Sequence, residues 1–467
     1  MTITDAEAQP LLSPATSSSS SSSSTTLYSN NFGKISRRIE DDVLPEASSL
    51  GRTLSWQSAY ILVISRVIGS GIFATPGSIV RAVGSPGLAL VLWVVGAAVA
   101  ACGLAVSLEF GSMLPRSGGD KVYLEFTYRR PRFLASTLVA VHVVLLGFTA
   151  SNCIVFSQYV LFALGQEQAG DGLRKGLAVA LLAAVTGVHA VFPKTGVRLQ
   201  NVLGWVKVGI IIFMILSGLY VVLLRPEQRL PAQGSSLAWN TLWEHSNWNW
   251  GIIATSLFKV FYSFAGLDNA NNVLNEVKDP VRTLRSVTFT ALITACGLYL
   301  LINVAYFIVV PIDEIKESGE LIAALFFERI FGPGARLKQE IARQGFLPFS
   351  EILSTTRPFN SPIGGLAVHF VPSLLVITLP PSREVYSFIL EVEGYPGQFF
   401  SLAVASGLVW LRFKRPDLKR PFKVWLPAVV LKICLSLSLL AAPFFPPPNR
   451  REGELFYATY AIVGVSM

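Results

Sequence analysis

The sequence is poor in the groups that keep a protein surface in water. Charged residues make up 14% of its 467 positions and hydrophobic ones 52%, against about 25% charged in soluble domains. Histidine and cysteine each occur four times. The cysteines, Cys102, Cys153, Cys296 and Cys434, stand far apart in apolar stretches. Without a CxxC or Cys/His pattern they mark neither a metal site nor a disulfide framework, and they read as small core hydrophobes. A Walker loop, an HExxH and a GxSxG at a strand-to-helix turn are all missing. Ordinary enzyme chemistry therefore has no seat here, and no metal or cofactor is expected.

What is present is apolar length. Runs of about 20 apolar residues, the length needed to cross a bilayer as a helix, recur along most of the chain. They fall near 57–83, 87–114, 132–164, 176–192, 197–224, 251–275, 286–311, 363–380, 384–411 and 424–445, and a last one, 455–467, stops at the chain end. Residues 1–52 are polar, with an unbroken serine run from Ser17 to Ser24. This tail is expected to be disordered and is too hydrophilic for a signal peptide.

The formal charge of +9 sits in short loops, where it reports topology rather than a nucleic-acid partner. Lys34, Arg37, Arg38 and Arg52 lie in the tail, and Arg116, Lys121, Arg129, Arg130 and Arg132 follow the second span. Lys194 and Arg198 follow the fourth, and Lys278, Arg282 and Arg285 follow the sixth. If each span crosses once, these share one side, which places the N-terminus in the cytoplasm. The alternation then fails. The basic segments 336–357 and 412–423 fall outside by counting and inside by charge. Between Pro311 and Arg336 only "LIAALFFERIFGPG" is partly apolar, and its clean part, Leu321 to Phe327, is far too short to span. One helix is expected to be missing from this chain.

Two spans are built to break. The first contains Gly69, Ser70 and Gly71, with Pro76 soon after, and each interior glycine costs roughly 1 kcal/mol relative to alanine. Glycine and serine also allow close helix packing in membranes, so one such site decides nothing. The sixth span, however, loosens at Ser263–Phe264–Ala265–Gly266 and continues through Asp268, Asn269, Asn271 and Asn272. Paired interruptions in corresponding spans point to a transporter's binding site, where half-helix ends receive the charged groups of a substrate. Five spans separate them, the spacing of a five-plus-five inverted repeat.

Here the chain resembles a family. From about Ser55 onward it is similar to the amino acid permeases of the amino acid–polyamine–organocation superfamily, in particular to the L-type amino acid transporters and fungal methionine permeases. The resemblance rests on "VIGSGIFATPGSI", "SLEFGSMLPRSGGDKVYLEF" and "SFAGLDNANNVLNEVKDPVRTL", with "ARQGFLPF" and "LRFKRPDLKRPF" in support. It implies an all-α polytopic membrane protein with the LeuT-like fold. The first repeat would span about 55–224 and the second about 250–414, with the remaining helices in 422–467. The eighth helix of that fold would be the absent one, and the last helix would be cut short.

The resemblance also implies a site. A substrate carboxylate would meet the amides of Gly69, Ser70 and Gly71, with the Ser70 hydroxyl assisting. The amine would meet carbonyls of Val67 and Ile68 on the first helix and of Tyr262, Ser263 and Ala265 on the sixth. Tyr262 is the expected aromatic gate, with Phe264 the other candidate beside the Gly266 break. Asp268, where relatives often carry Asn or Ser, could assist a cationic amine, though an N-cap to the second half-helix is the simpler expectation. Lys207 lies about ten residues into the fifth span, too deep for easy snorkelling, and an intramembrane charge marks a functional site by default. In the family a lysine here stands against the broken first helix in place of a bound ion. Arg66 and Lys259 are weaker candidates, as gate charges or snorkelled groups, and Glu109 reads as structural.

The implied function is secondary active import of a neutral amino acid, methionine or another sulfur-containing or large neutral one, coupled to protons at the plasma membrane. Substrate, protons and bilayer are then the partners. A non-transporting sensor would usually carry longer cytoplasmic extensions than this 52-residue tail. A disulfide-linked heavy chain is not expected, because no cysteine lies between Leu164 and Arg174, after the third span. An inactive or mis-spliced copy is the remaining alternative, prompted by the absent helix.

Overall fold

The computed structural model describes residues 54–131, 134–146, 150–166, 170–191, 193–224, 239–331, 363–378 and 385–444. The serine-rich tail, the 332–362 stretch containing the suspected junction and the final apolar run all lie outside these residues. Among the described residues every regular element is helical, and the only β pairing is a lone bridge between Leu54 and Val277.

The first span forms two helices, α1 (Trp56–Val67) and α2 (Gly71–Val83). Ser55 caps α1 by accepting from the Ser58 amide. Gly84, at φ 85°, ends α2 in the left-handed conformation that glycine adopts most cheaply. Ser85 and Pro86 then start α3 (Pro86–Met113), serine as cap and proline in the first turn, where its missing N–H costs nothing. A short α4 (Asp120–Thr127) follows. The third apolar run, read above as one span, divides into α5 (Leu134–Leu146) and α6 (Ala150–Ala163). Next come α7 (Asp171–Val191) and α8 (Pro193–Leu224).

The sixth span starts as α9 (Trp250–Phe264), capped by Asn249. It resumes as a 3-10 segment over Asn269–Glu276 instead of an α-helix. Within it Asn272 Nδ2 donates to Asn269 Oδ1 at 3.2 Å, a bond between side chains. Then follow α10 (Pro280–Val309), the short α11 (Ile312–Glu317) and α12 (Ile322–Phe331), α13 (Ile363–Thr378), α14 (Val385–Lys414) and α15 (Leu426–Ala441).

Five of the described helical segments are long and apolar enough to cross a bilayer: Trp56–Val83, Pro86–Met113, Val202–Leu224, Pro280–Val309 and Leu426–Phe444. Only 28% of the Val202–Leu224 window is covered by protein. Leu216, Leu223 and Leu224 project outward from it, a surface suited to hydrocarbon rather than water.

The core gathers around the two broken spans. Helix α10 packs on α1, α3 and α8, while α9 packs on α2, α3 and α14. Beside the breaks, Trp93, Phe264 and Tyr299 form an aromatic cluster with centroids 5.1–6.1 Å apart, the tilted and edge-on range that aromatic quadrupoles favour. The chain entry is pinned to the sixth span as well. The Leu54 amide donates to Glu276 O at 2.9 Å, and the Lys278 amide donates to Leu54 O at 3.0 Å.

Glu109 fastens the far end of α3. It is fully buried, and Arg412 grips it with two guanidinium nitrogens. The Val424 amide adds a third bond at 2.7 Å, with Arg420 3.5 Å away. A buried carboxylate needs this many donors to offset its lost hydration. The motif "LRFKRPDLKRPF" thereby serves as an anchor for α3, which agrees with the structural reading of Glu109.

Candidate functional site

The break in the first span is short. Helix α1 stops at Val67, Ile68 turns to φ −74°, ψ 90°, and α2 begins after Ser70. The amides that start a helix have no acceptor within it and carry the positive end of its dipole. At α2 these belong to Gly71 and Ile72. Ser70 does not cap them. Its hydroxyl donates to Asn152 Oδ1 at 2.6 Å and lies 3.1 Å from the Tyr262 hydroxyl. Tyr262 lies in turn 3.3 Å from Ser151 Oγ. Each hydroxyl has one proton to give. With that of Ser70 spent on Asn152, the order runs Ser151 to Tyr262 to Ser70 to Asn152, and it ties α6, α9 and the break together.

The sixth span breaks opposite. Helix α9 ends at Phe264, Ala265 is extended, and Gly266 takes φ 97°, a left-handed conformation that suits glycine. A Cβ at Gly266 would stand 2.5 Å from Arg66 Cγ, so the end of α1 lies directly against this turn. The Tyr299 hydroxyl of α10 reaches the Val67 carbonyl at 2.8 Å and the Ser263 carbonyl at 2.9 Å. Both are among the carbonyls assigned above to a substrate amine. Each has a second lone pair, so the clamp leaves one available.

The two glycines of the first break differ. A Cβ on Gly71 would lie 2.5 Å from Ser263 Oγ and 2.9 Å from Ser263 Cα. A Cβ on Gly69 would meet only Val67 O, at 4.0 Å. Gly71 therefore lets the two broken spans touch, while Gly69 faces open space.

Tyr262 and Phe264 separate cleanly. The Tyr262 hydroxyl joins the polar chain at the first break, and its ring meets Tyr386 edge-on at 6.4 Å. Phe264 is buried against Trp93 and Tyr299, a packing position. The N-cap expected of Asp268 is not made: its side chain forms no cap bond to the 3-10 segment. Instead Asp268 lines a cavity of about 220 Å³ together with Phe264, Ala265 and Gly266.

The remaining charges are drawn inward. Lys207 on α8 donates to Ser65 O at 3.3 Å, just before the first break. Lys259 pairs with Glu391 of α14 at 3.6 Å, with both side chains largely buried. Arg66 lies within electrostatic range of Glu393, Tyr262 and Asp268. Sequence reasoning missed Ser151, Asn152, Tyr299, Glu391 and Glu393. The rule that singled out Lys207, an ionisable group deep in an apolar run, applied equally to Glu391 and Glu393. Among the described residues no cluster of His, Cys, Asp or Glu has the makings of a metal site.

Asp120, at the start of α4 between spans, also faces the cavity. Burial pushes its carboxyl up to about 7, with Asp268 adding to the rise and Lys432 opposing it. The unfolded chain releases this proton near the ordinary value of about 3.9, while the fold holds it to about 7. Stability therefore falls as pH rises between those values and levels off above them. Asp120→Asn is expected to remove that slope and raise the melting temperature most on the alkaline side. Melting curves of the two proteins across about pH 4 to 8 check this; parallel curves would contradict it.

The sequence profile of the amino acid permease family matches residues 54–335 and 333–467. The chain belongs to that family. The permease is similar to the high-affinity methionine permease of Saccharomyces cerevisiae, 33% identical over 426 residues, which cover 85% of this chain and 73% of that one. The low-affinity methionine permease of the same yeast is 33% identical over 430 residues, covering 85% and 77%. The human b(0,+)-type amino acid transporter 1 is 27% identical over 437 residues, covering 87% and 85%. These relatives are transporters and not enzymes. With several apolar helices of spanning length, the permease is a multi-pass membrane protein of an amino acid transport family.

Proposed function

We propose that the permease imports a neutral amino acid, methionine or another large neutral or sulfur-containing one, across the plasma membrane together with protons. One observation carries this reading: the two broken spans face each other with opposite backbone polarity. The open amides of Gly69, Ser70 and Gly71 suit a carboxylate. The carbonyls of Val67, Ile68, Tyr262, Ser263 and Ala265 suit an ammonium, and the Tyr262 ring stands between as gate. The likeness to the yeast methionine permeases supports the side-chain preference. In this reading the breaks belong to a five-plus-five inverted repeat, with the N-terminus in the cytoplasm.

The test is uptake of labelled amino acids in a permease-deficient host, with and without an uncoupler. Methionine uptake should exceed that of charged amino acids and fall when the proton gradient is dissipated. Uptake indifferent to the uncoupler would remove proton coupling from the reading.

Lys207 enters as a fixed cation beside the first break, where its bond to Ser65 O replaces what an ion would coordinate. Lys207→Ala is expected to sever uptake from the pH gradient or to stop it outright. An alanine variant with the wild-type pH profile would reduce Lys207 to a packing residue.

We also propose that the transporting form carries a further apolar helix at the Gly334–Ala335 junction. Supporting this are the single failure of charge parity between Pro311 and Arg336, and a family match that falls into two pieces meeting at residues 333–335.

A further inference from the structure

We propose that the cavity beside the sixth-span break is a second amino acid site, which receives the carboxylate of a free α-amino acid on Lys432 and Gln398. It is separate from the site of import. Of the backbone groups given above to the imported substrate, only Ala265 borders this cavity.

The cavity measures about 220 Å³ and is bordered by α3, α9 and the break after it, α14 and α15, with Asp120 at the start of α4. Lys432 lies within the Leu426–Phe444 span, and a charge there marks a functional site by default. The start of α15 is fixed to α3, since the Val424 amide donates to Glu109 Oε2 at 2.7 Å. Gly103 lies inward of that anchor by roughly 9 Å of helix rise. A Cβ on it would stand 3.5 Å from Lys432 Cε and 3.7 Å from Nζ. The ammonium also lies 5.9 Å from the centroid of the Phe261 ring. The side chain thus crosses toward α3 and α9 instead of snorkelling to water. Among the described residues it has no hydrogen bond and no ion pair.

Gln398 supplies a second donor. It is 7% exposed and lines the cavity. Its carbonyl oxygen accepts from Ser436 Oγ at 3.4 Å, and among the described residues its NH2 group has no partner. A buried donor without an acceptor is costly, and so is an ammonium drawn from water without an anion. A bound carboxylate relieves both.

Asp120 and Asp268 line the same cavity, yet neither closes on Lys432 to within 4 Å. Asp268 is exposed and Asp120 half-buried, so both remain hydrated and can receive an ammonium. Val99, Leu104 and Val404 add an apolar wall. A cation, two carboxylates and that wall match the three parts of an α-amino acid with an apolar side chain. The volume is below the roughly 300 Å³ at which drug-sized pockets begin, which suits so small a ligand. Gly397 keeps the space open, since a Cβ there would meet nothing within 4 Å.

The consequence is feedback, and this part rests on the import reading. Asp120 belongs to the loop after the second span, on the side read above as cytoplasmic. Phe264, Ala265 and Gly266 line the cavity and also form the sixth-span break. An amino acid seated there favours the arrangement of the break that fits it. Imported product that accumulates inside therefore slows further import.

Equilibrium binding of radiolabelled methionine to the full 467-residue chain in lipid nanodiscs tests the site without transport. Two methionines per chain are expected for the wild type and one for Lys432→Met, with Lys432→Arg restoring the second. Gly397→Leu fills the cavity, leaves every charge in place and should also bind one. Gly71→Val should keep the cavity methionine and lose the other. Stoichiometry unchanged in either Lys432→Met or Gly397→Leu overturns the second site, as does a Gly71→Val protein that binds none. A single methionine, lost in Lys432→Met and kept in Gly71→Val, leaves the cavity site standing and removes the import site instead. The methionine held by Gly71→Val should resist 3-(methylthio)propylamine, which is methionine without its carboxylate. Displacement by that amine overturns the contact to Lys432. In the form that transports, methionine preloaded into vesicles should slow uptake several-fold in the wild type and not in Lys432→Met. Equal slowing in both overturns the feedback.

Discussion

Gly71→Val is expected to abolish uptake in the transporting form while the protein still inserts into the membrane. The cause is steric before it is chemical. Even the first carbon of a side chain would lie 2.9 Å from Ser263 Cα, a backbone atom that cannot rotate away. The two broken spans would have to separate, and overpacking of this kind typically costs 1–3 kcal/mol, roughly. A branched side chain would also cover the amides at the start of α2, which need bare backbone to receive a carboxylate. Gly69→Ala is the control, since its Cβ meets only one atom, at 4.0 Å. It should match wild type in thermal stability, whereas Gly71→Val should melt lower and transport nothing. Normal uptake by a correctly localised Gly71→Val protein would remove the carboxylate assignment.

The second large effect concerns the junction. Sequencing transcripts across the Gly334 codon should reveal roughly 20 or more additional, mostly apolar residues, enough for one more crossing. The longer product should transport methionine and the 467-residue chain should not. Without that crossing, the basic segments after Ala335 lie on the wrong side by count, and each misplaced positive loop opposes insertion. Helix α13, the first described helix after the junction, packs on α5, α6 and α7. If this junction is the sole one found and the shorter protein transports at full rate, the extra helix is not required.

Much of this was legible in advance for one reason: backbone cost. Glycine and serine in mid-span are expensive, so "VIGSGIF" and "SFAGLDN" announced the breaks that α1/α2 and α9 then display. Local conformation proved harder. Asn269–Glu276 forms a 3-10 segment, and no single costly position in the sequence announces it. The partners of the breaks were not legible at all. Tyr299 stands in an apolar helix as an ordinary aromatic, and its contacts lie 232 and 36 residues away in sequence. Asn152 and Ser70 are 82 residues apart, and nothing in either neighbourhood predicts the other. Asp268 was legible as an anomaly and misjudged as a cap, because the cavity that receives it comes from elements no local pattern brings together.

The Tyr299 hydroxyl has a mechanical consequence. It has a single hydrogen to offer and two carbonyl oxygens, Val67 and Ser263, both within bonding reach. One hydroxyl within reach of two carbonyls ties the end of α1 and the end of α9 to the same atom of α10, so neither stump can shift against that helix without disturbing a contact that also holds the other.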